Sequence, residues 1–270
     1  MLGKLVKYDW KASYLYQMVG GVVYIVATLL LAIVIKSGME NGSGTYYEME
    51  TSDLATMQII GTISASLLWA FAVFGLIILT YILIIRRFYT NMVSDQAYLT
   101  LTLPVSARKH MLSKTISGFL LLSLTGVLLA AGLLILLWIL VGNQLWSEVP
   151  EVIGAVLDEF FNGYSIWYMV NMILERICGL LLIYFSICVG QLFQKHKVWG
   201  AIGTYLLIMT VYYITATIFV VVTGLFGEMD TILWMTDTSM NIAGTVLCVV
   251  EMCLYFFLGS WILEKRINLE

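Results

Sequence analysis

The chain has 270 residues, of which 61% are hydrophobic and only 11% carry a charge. Soluble domains contain about 25% charged residues, so this composition excludes an ordinary soluble protein and indicates a membrane protein. The formal net charge is −3, and nothing in the charge balance indicates a nucleic-acid partner. We therefore expect the lipid bilayer, and no nucleic acid, among the partners.

Six long apolar stretches alternate with more polar connections. A helix rises about 1.5 Å per residue, so about 20 apolar residues are needed to cross a hydrocarbon core of about 30 Å. Each stretch reaches or approaches that length. The sequence predicts an all-α polytopic membrane protein that forms a single transmembrane domain over 1–270, with spans at 17–35, 57–85, 116–141, 166–193, 198–224 and 241–263.

The basic residues collect at alternate connections. Of the 14 Lys and Arg residues, all but Lys36 and Arg176 lie before the first span, between spans two and three, between spans four and five, or after the last span. Most acidic residues lie in the other set of connections. Because cytoplasmic connections retain Lys and Arg, the pattern predicts that both termini are cytoplasmic.

The segment before the first span is amphipathic. Over 1–16, apolar and aromatic residues such as Tyr8 and Trp10 alternate with lysines. This arrangement predicts an interfacial elbow helix that lies flat in the membrane surface. A plain positive flank to the first span is the alternative, although it leaves the aromatic residues without a role.

The inner connection 86–115 is the most informative polar segment. Ser94 is a suitable helix cap, Asp95 places a negative charge in the first turn, and Pro104 ends the helix. Ser106 is positioned to cap the next helix. The pattern predicts a short helix against the inner membrane surface with one side facing the cytoplasm.

Two outer connections also contain regular apolar residues. The spacing of three and four over 142–164 predicts an amphipathic helix on the outer surface. The segment 225–240 is shorter and similar, and we expect a broken helix that dips into the membrane where protein covers its backbone.

Three charged residues lie within predicted spans. Glu251 is near the middle of span six, where an isolated carboxylate costs about 3 kcal/mol or more. It either lines a substrate path or subunit interface, or is a neutral acid bonded to a neighbouring helix. Glu175 and Arg176 point about 100° apart and are poorly placed to neutralise each other. Arg176 either extends to the interface or pairs with an acid on another helix.

Motifs for catalysis are missing from the sequence. It contains no Gly-rich phosphate loop, no His-Glu-x-x-His, no Gly-x-Ser-x-Gly and no Cys-x-x-Cys. His110 and His196 stand beside lysines in inner connections and are interpreted as surface residues. We therefore expect no catalytic residue, no metal site and no cofactor bound by this chain.

Over its full length the chain resembles the permease subunits of ABC-2 type ABC transporters, especially the small six-span ones of Gram-positive bacteria. The resemblance depends on the opening segment, the inner segment and the closing segment, at 2–11, 87–89 with 95–106, and 263–269. It implies a multi-pass protein of the bacterial cell membrane, an exporter subunit that pairs with a second permease half, identical or homologous. It also implies a separate ABC ATPase subunit that binds ATP and Mg.

In that family the inner helix between spans two and three is the coupling helix, which docks onto the ATPase. By resemblance the ATPase-coupling residues here are Asp95, Gln96, Tyr98, Leu99, Leu101 and Pro104.

Two other classes of function stay open at the level of sequence. One is a membrane-embedded enzyme or protease that uses Glu175, Arg176 and Glu251, which requires these groups to converge on one cavity. The other is a secondary transporter or channel that works without a partner, although neither an internal repeat nor a carboxylate cluster is visible.

Overall fold

The computed structural model describes residues 2–42, 52–93, 106–141, 163–193, 195–226 and 239–265. All regular structure in these ranges is helical. The six helices are α1 (Leu2–Gly42), α2 (Ser52–Met92), α3 (Ala107–Val141), α4 (Gly163–Gly190), α5 (Lys197–Phe226) and α6 (Ser239–Lys265).

Every one of these helices is long and apolar enough to cross a membrane. The qualifying segments are Gly3–Gly38, Thr56–Met92, Ala107–Leu140, Trp167–Gly190, Lys197–Thr215 and Gly244–Glu264. Large apolar side chains lie on the outside of the helices, for example Phe71 at 76% and Trp199 at 72% exposure. Such surfaces are compatible with lipid and not with water. The prediction of an all-helical, multi-pass membrane protein is therefore confirmed.

The helices extend beyond several predicted spans. Residues 2–16 of the predicted elbow and the whole first span belong to α1, which runs without a break from Leu2. Neither of the two prolines in the chain lies in this region, so no residue there interrupts the backbone hydrogen bonds. The elbow as an interfacial element, and the cytoplasmic placement of both termini, stay predictions.

Most of the outer connections (43–51, 142–162 and 227–238) and the centre of the inner connection between α2 and α3 (94–105) lie outside the described residues. Thus the predicted amphipathic helix at 142–164 and the broken helix at 225–240 stay predictions. The chain separates into two compact units, one formed by 7–84 with 120–162 and the other by 1–6, 85–119 and 163–270. The prediction of one transmembrane domain over 1–270 likewise stays a prediction.

In the first unit, polar side chains join α1, α2 and α3. The amide nitrogen of Gln17 donates hydrogen bonds to the hydroxyl oxygens of Thr80 at 2.8 Å and Thr125 at 2.7 Å. Farther along α1, the Tyr24 hydroxyl donates to the carbonyl oxygen of Leu129 at 3.0 Å. Interhelical hydrogen bonds of this kind help to hold spans together in lipid, where burial of apolar surface gives little preference for protein over lipid.

In the second unit, α4 and α5 form a tight antiparallel hairpin. A Cβ on Gly190 would lie 2.7 Å from both the carbonyl oxygen of Lys197 and the amide nitrogen of Ala201. The backbones therefore approach so closely at this turn that only glycine fits without movement.

Helices α4 and α6 lie side by side and parallel. Their contacts advance in the same direction along both helices, from the Thr245–Asn171 hydrogen bond, through Cys178 and Glu251, to Phe185 and Gly259. Two spans that are separated along the chain by one intervening span are expected to run in the same direction. The geometry places residues of α4, α5 and α6 around a common space.

Candidate binding cleft

The predicted ATPase-coupling residues lie outside the described residues. Asp95, Gln96, Tyr98, Leu99, Leu101 and Pro104 all fall in the interval 94–105 between α2 and α3, so their role stays a prediction. The structure does describe the two helix ends that hold this interval. Val93 closes the last turn of α2, and the Ser106 carbonyl accepts hydrogen bonds from the amides of Lys109 and His110 at the start of α3.

Both helix ends are firmly packed. Phe88, Met92 and Met111 are fully buried, and His110 is 2% exposed. The ring of Phe88 stacks on Tyr184 of α4, with centroids 4.2 Å apart and planes inclined by 12°. The interpretation of His110 as a surface residue is therefore wrong. Its side chain is buried in the protein at the first turn of α3, and the basic residues beside it in the sequence gave no indication of this.

A cleft of about 420 Å³ opens between α4, α5 and α6. This volume falls within the range of about 300–1,000 Å³ that is usual for small-molecule sites. Its walls combine apolar, aromatic and thioether side chains with a few polar groups. The polar and aromatic lining residues are Tyr168, Asn171, Glu175, Cys178, Tyr212, Thr245, Cys248, Glu251 and Tyr255.

Helical spacing explains how these groups reach one space. On α4 the lining residues are spaced by four and then three positions, at Asn171, Glu175 and Cys178. On α6 they are spaced by three and then four positions, at Cys248, Glu251 and Tyr255. Residues at such intervals share a helix face.

Because α4 and α6 run parallel, the two faces meet along their length. The Cys178 thiol donates to the carboxylate oxygen Oε2 of Glu251 at 3.8 Å, a long contact of the kind sulfur makes.

The cleft brings together two of the three charged residues singled out in the spans. Glu175 and Glu251 both line it, from α4 and α6 respectively. Arg176 is exposed and is not among the lining residues. This is the outcome expected from the 100° between successive helical positions.

Carboxylates are the charged groups of the cleft. Among the described residues that line it, Glu175 and Glu251 are charged and there is no histidine, lysine or arginine. Within the described residues, no group of three or more His, Cys, Asp or Glu side chains is placed to hold a metal ion. The arrangement is suited to binding, with negative charge and aromatic faces as its recognisable features.

Sequence reasoning found the carboxylates but not their surroundings. Asn171, Tyr212 and Tyr255 were overlooked because asparagine and tyrosine are unremarkable in a span when taken singly. For Asn171 and Tyr255, the available signal was their spacing from Glu175 on α4 and from Glu251 on α6. Tyr212 of α5 carried no such signal, since its place depends on the α4–α5 hairpin.

Comparisons with protein-family models, with curated proteins and with solved structures give no significant match to this chain.

Proposed function

We propose that the chain is the membrane-spanning permease subunit of an ABC-2 type transporter, acting as an exporter in a bacterial cell membrane. ATP hydrolysis would occur in a separate nucleotide-binding subunit. The resemblance over 2–11, 87–89 with 95–106, and 263–269 motivates this proposal, and the packing around the inner connection is the observation that carries it.

The inner connection is held at both ends by buried contacts. Phe88 at the end of α2 stacks on Tyr184, whose hydroxyl donates to the carbonyl oxygen of Lys114 in α3 at 3.1 Å. A force applied to the segment between these ends would therefore be passed to α2, α3 and α4 together and not absorbed by a loose loop. A coupling segment needs this property, because it must convert movement of the ATPase into tilting of the spans.

The surface of α5 supports a second permease half. Over Lys197–Thr215 no residue is buried, and the mean hydropathy of 1.4 is the lowest among the six candidate spans. Tyr213 and Thr210 are exposed on this helix and are not among the residues that line the cleft. Polar side chains facing lipid are unfavourable, so an additional membrane chain is the simplest cover for this face.

Replacing Tyr98 and Leu99 with Asp tests the proposal. The variant is expected to insert in the membrane normally but to lose both the ATPase that co-purifies with the wild-type chain in mild detergent and ATP-driven export. Thr100→Asp with Thr102→Asp is the matched control, since it adds the same charge to the same segment outside the proposed contact set.

Equal ATPase recovery from the Tyr98→Asp, Leu99→Asp variant and from wild type would remove the coupling assignment. Absence of any ATPase with the wild-type chain would remove the proposed function itself.

One observation favours a second candidate, a transporter driven by an ion gradient without a partner. Glu175 and Glu251 share a cleft, and paired intramembrane carboxylates are a common means of coupling to protons or cations. The chain reconstituted alone into liposomes would then accumulate a substrate under an imposed ion gradient. The ABC proposal expects no accumulation in that experiment.

A further inference from the structure

We propose that the cleft between α4, α5 and α6 binds an organic cation with an apolar body, such as an amine or phosphonium with aromatic or aliphatic substituents. That such a cation is also the transported substrate rests on the proposed function. That the cleft binds it is a property of the isolated chain and is tested on that chain.

The first argument is the unbalanced charge of the cleft. Two carboxylates, Glu175 and Glu251, contribute to its wall, and none of the lining side chains in the described part of the chain carries a positive charge. Arg176, the nearest cation along the chain, is excluded by its position on the helix. A carboxylate within a span is energetically costly, so a cationic ligand that neutralises it would be held favourably.

The second argument is the nature of the walls. Three tyrosines, Tyr168, Tyr212 and Tyr255, come from three different helices, and Met172 and Met209 supply flexible apolar surface. Aromatic faces attract cations, and thioethers adapt to varied shapes. These walls are suited to the body of an organic cation, whereas a hydrated inorganic ion would gain little from them.

The third argument separates an organic cation from a metal ion. Divalent cations require several oxygen ligands around one point. Among the described residues no cluster of three or more ligating side chains is present. The Cys178 thiol occupies only Oε2 of Glu251, and a carboxylate has capacity to accept further hydrogen bonds, for example from an ammonium group.

Equilibrium dialysis with tetraphenylphosphonium, using the purified chain in mild detergent, tests the proposal. Wild type is expected to bind the cation saturably and with higher affinity than it binds triphenylphosphine oxide, a neutral molecule with similar aromatic surface. Glu175→Gln and Glu251→Gln are each expected to weaken cation binding by about tenfold or more, because a charged contact is replaced by a neutral one. Binding of the neutral probe should change little.

Glu264→Gln is the matched control, because Glu264 lies on α6 but is exposed outside the cleft. Equal affinity of wild type and the Glu175→Gln, Glu251→Gln double variant for the cation would overturn the proposal, as would a wild type that does not distinguish cation from neutral probe. If a Gln variant is recovered poorly, Glu251→Asp keeps the charge and is expected to keep most of the binding.

The binding test is independent of the ATPase. Cation binding without any co-purified ATPase would support the cleft and reject the ABC proposal. An ATPase that depends on Tyr98 and Leu99, together with no discrimination between the two probes, would support the ABC proposal and reject the cleft as a cation site.

Discussion

Tyr184 and Gly118 fit together so closely that neither can change without affecting the other. The Tyr184 hydroxyl oxygen lies 2.8 Å from the position that a Cβ on Gly118 would occupy. The same hydroxyl donates to the Lys114 carbonyl at 3.1 Å, and the ring stacks on Phe88. The ring is thus held by the stack with Phe88 and by the hydrogen bond at its hydroxyl, and it cannot easily move away from a larger residue.

Gly118→Ala is therefore expected to destabilise the second unit by about 1–3 kcal/mol, the usual cost of overpacking a well-filled site. The measurement is thermal unfolding of the purified chain in detergent. Gly126→Ala on the same helix is the control, since nothing lies within 4 Å of a Cβ at that position. If both variants lose the same stability, helix propensity and not the Tyr184 contact is responsible.

Glu251→Gln is expected to raise the unfolding temperature while it lowers cation binding. Without a ligand, the wild-type carboxylate has only the Cys178 thiol as its hydrogen-bond partner among the described residues, and removing the charge relieves the cost of holding it in a span. Sites built for binding commonly sacrifice stability in this way. Thermal unfolding with Glu264→Gln as control measures the effect; a less stable Glu251→Gln variant would instead assign Glu251 a structural role.

The sequence was sufficient to predict the helices and to single out Glu251 as a charged residue within a span. It was insufficient to predict which residues surround Glu251. Hydropathy depends on local composition, so six spanning helices could be predicted. Helix α2 ends about seven residues after its predicted span, α3 begins about nine residues before its own, and α1 begins about fifteen residues before its span because it includes the segment predicted as the elbow. The cleft depends on the parallel packing of α4 against α6, which joins Cys178 to Glu251 across 73 residues of chain. No local pattern encodes that pairing.

The buried side chain of Gln17 makes hydrogen bonds through its amide nitrogen but not through its oxygen, and this affects the expected stabilities of variants at Gln17 and Thr80. Its amide donates to the hydroxyls of Thr80 and Thr125, each of which donates onward to a carbonyl of its own helix. Its oxygen Oε1 is buried and finds no hydrogen-bond partner among the described residues. An unsatisfied buried acceptor costs about 1–3 kcal/mol, which offsets the gain from the two interhelical bonds.

We therefore expect Gln17→Leu to change stability by less than about 1 kcal/mol, because it removes the two bonds and the unsatisfied oxygen together. Thr80→Val should cost more, since it leaves an amide hydrogen of Gln17 without its acceptor. The double variant should then be more stable than Thr80→Val alone. Thermal unfolding of the three variants measures this coupling, and simple additivity of the two single changes would refute it.

Gly190→Ala is expected to be the most disruptive small change in the α4–α5 hairpin. The added methyl group would meet backbone atoms of Lys197 and Ala201 at 2.7 Å, and backbone cannot rotate away as the end of a side chain can. The helices must separate, which would also move Tyr212 relative to Glu175 in the cleft. We expect loss of folded protein on size exclusion or, in the folded fraction, weaker tetraphenylphosphonium binding. Gly203→Ala on α5, with nothing within 4 Å of its Cβ, is the control; equal behaviour of the two variants would show that the hairpin adjusts freely.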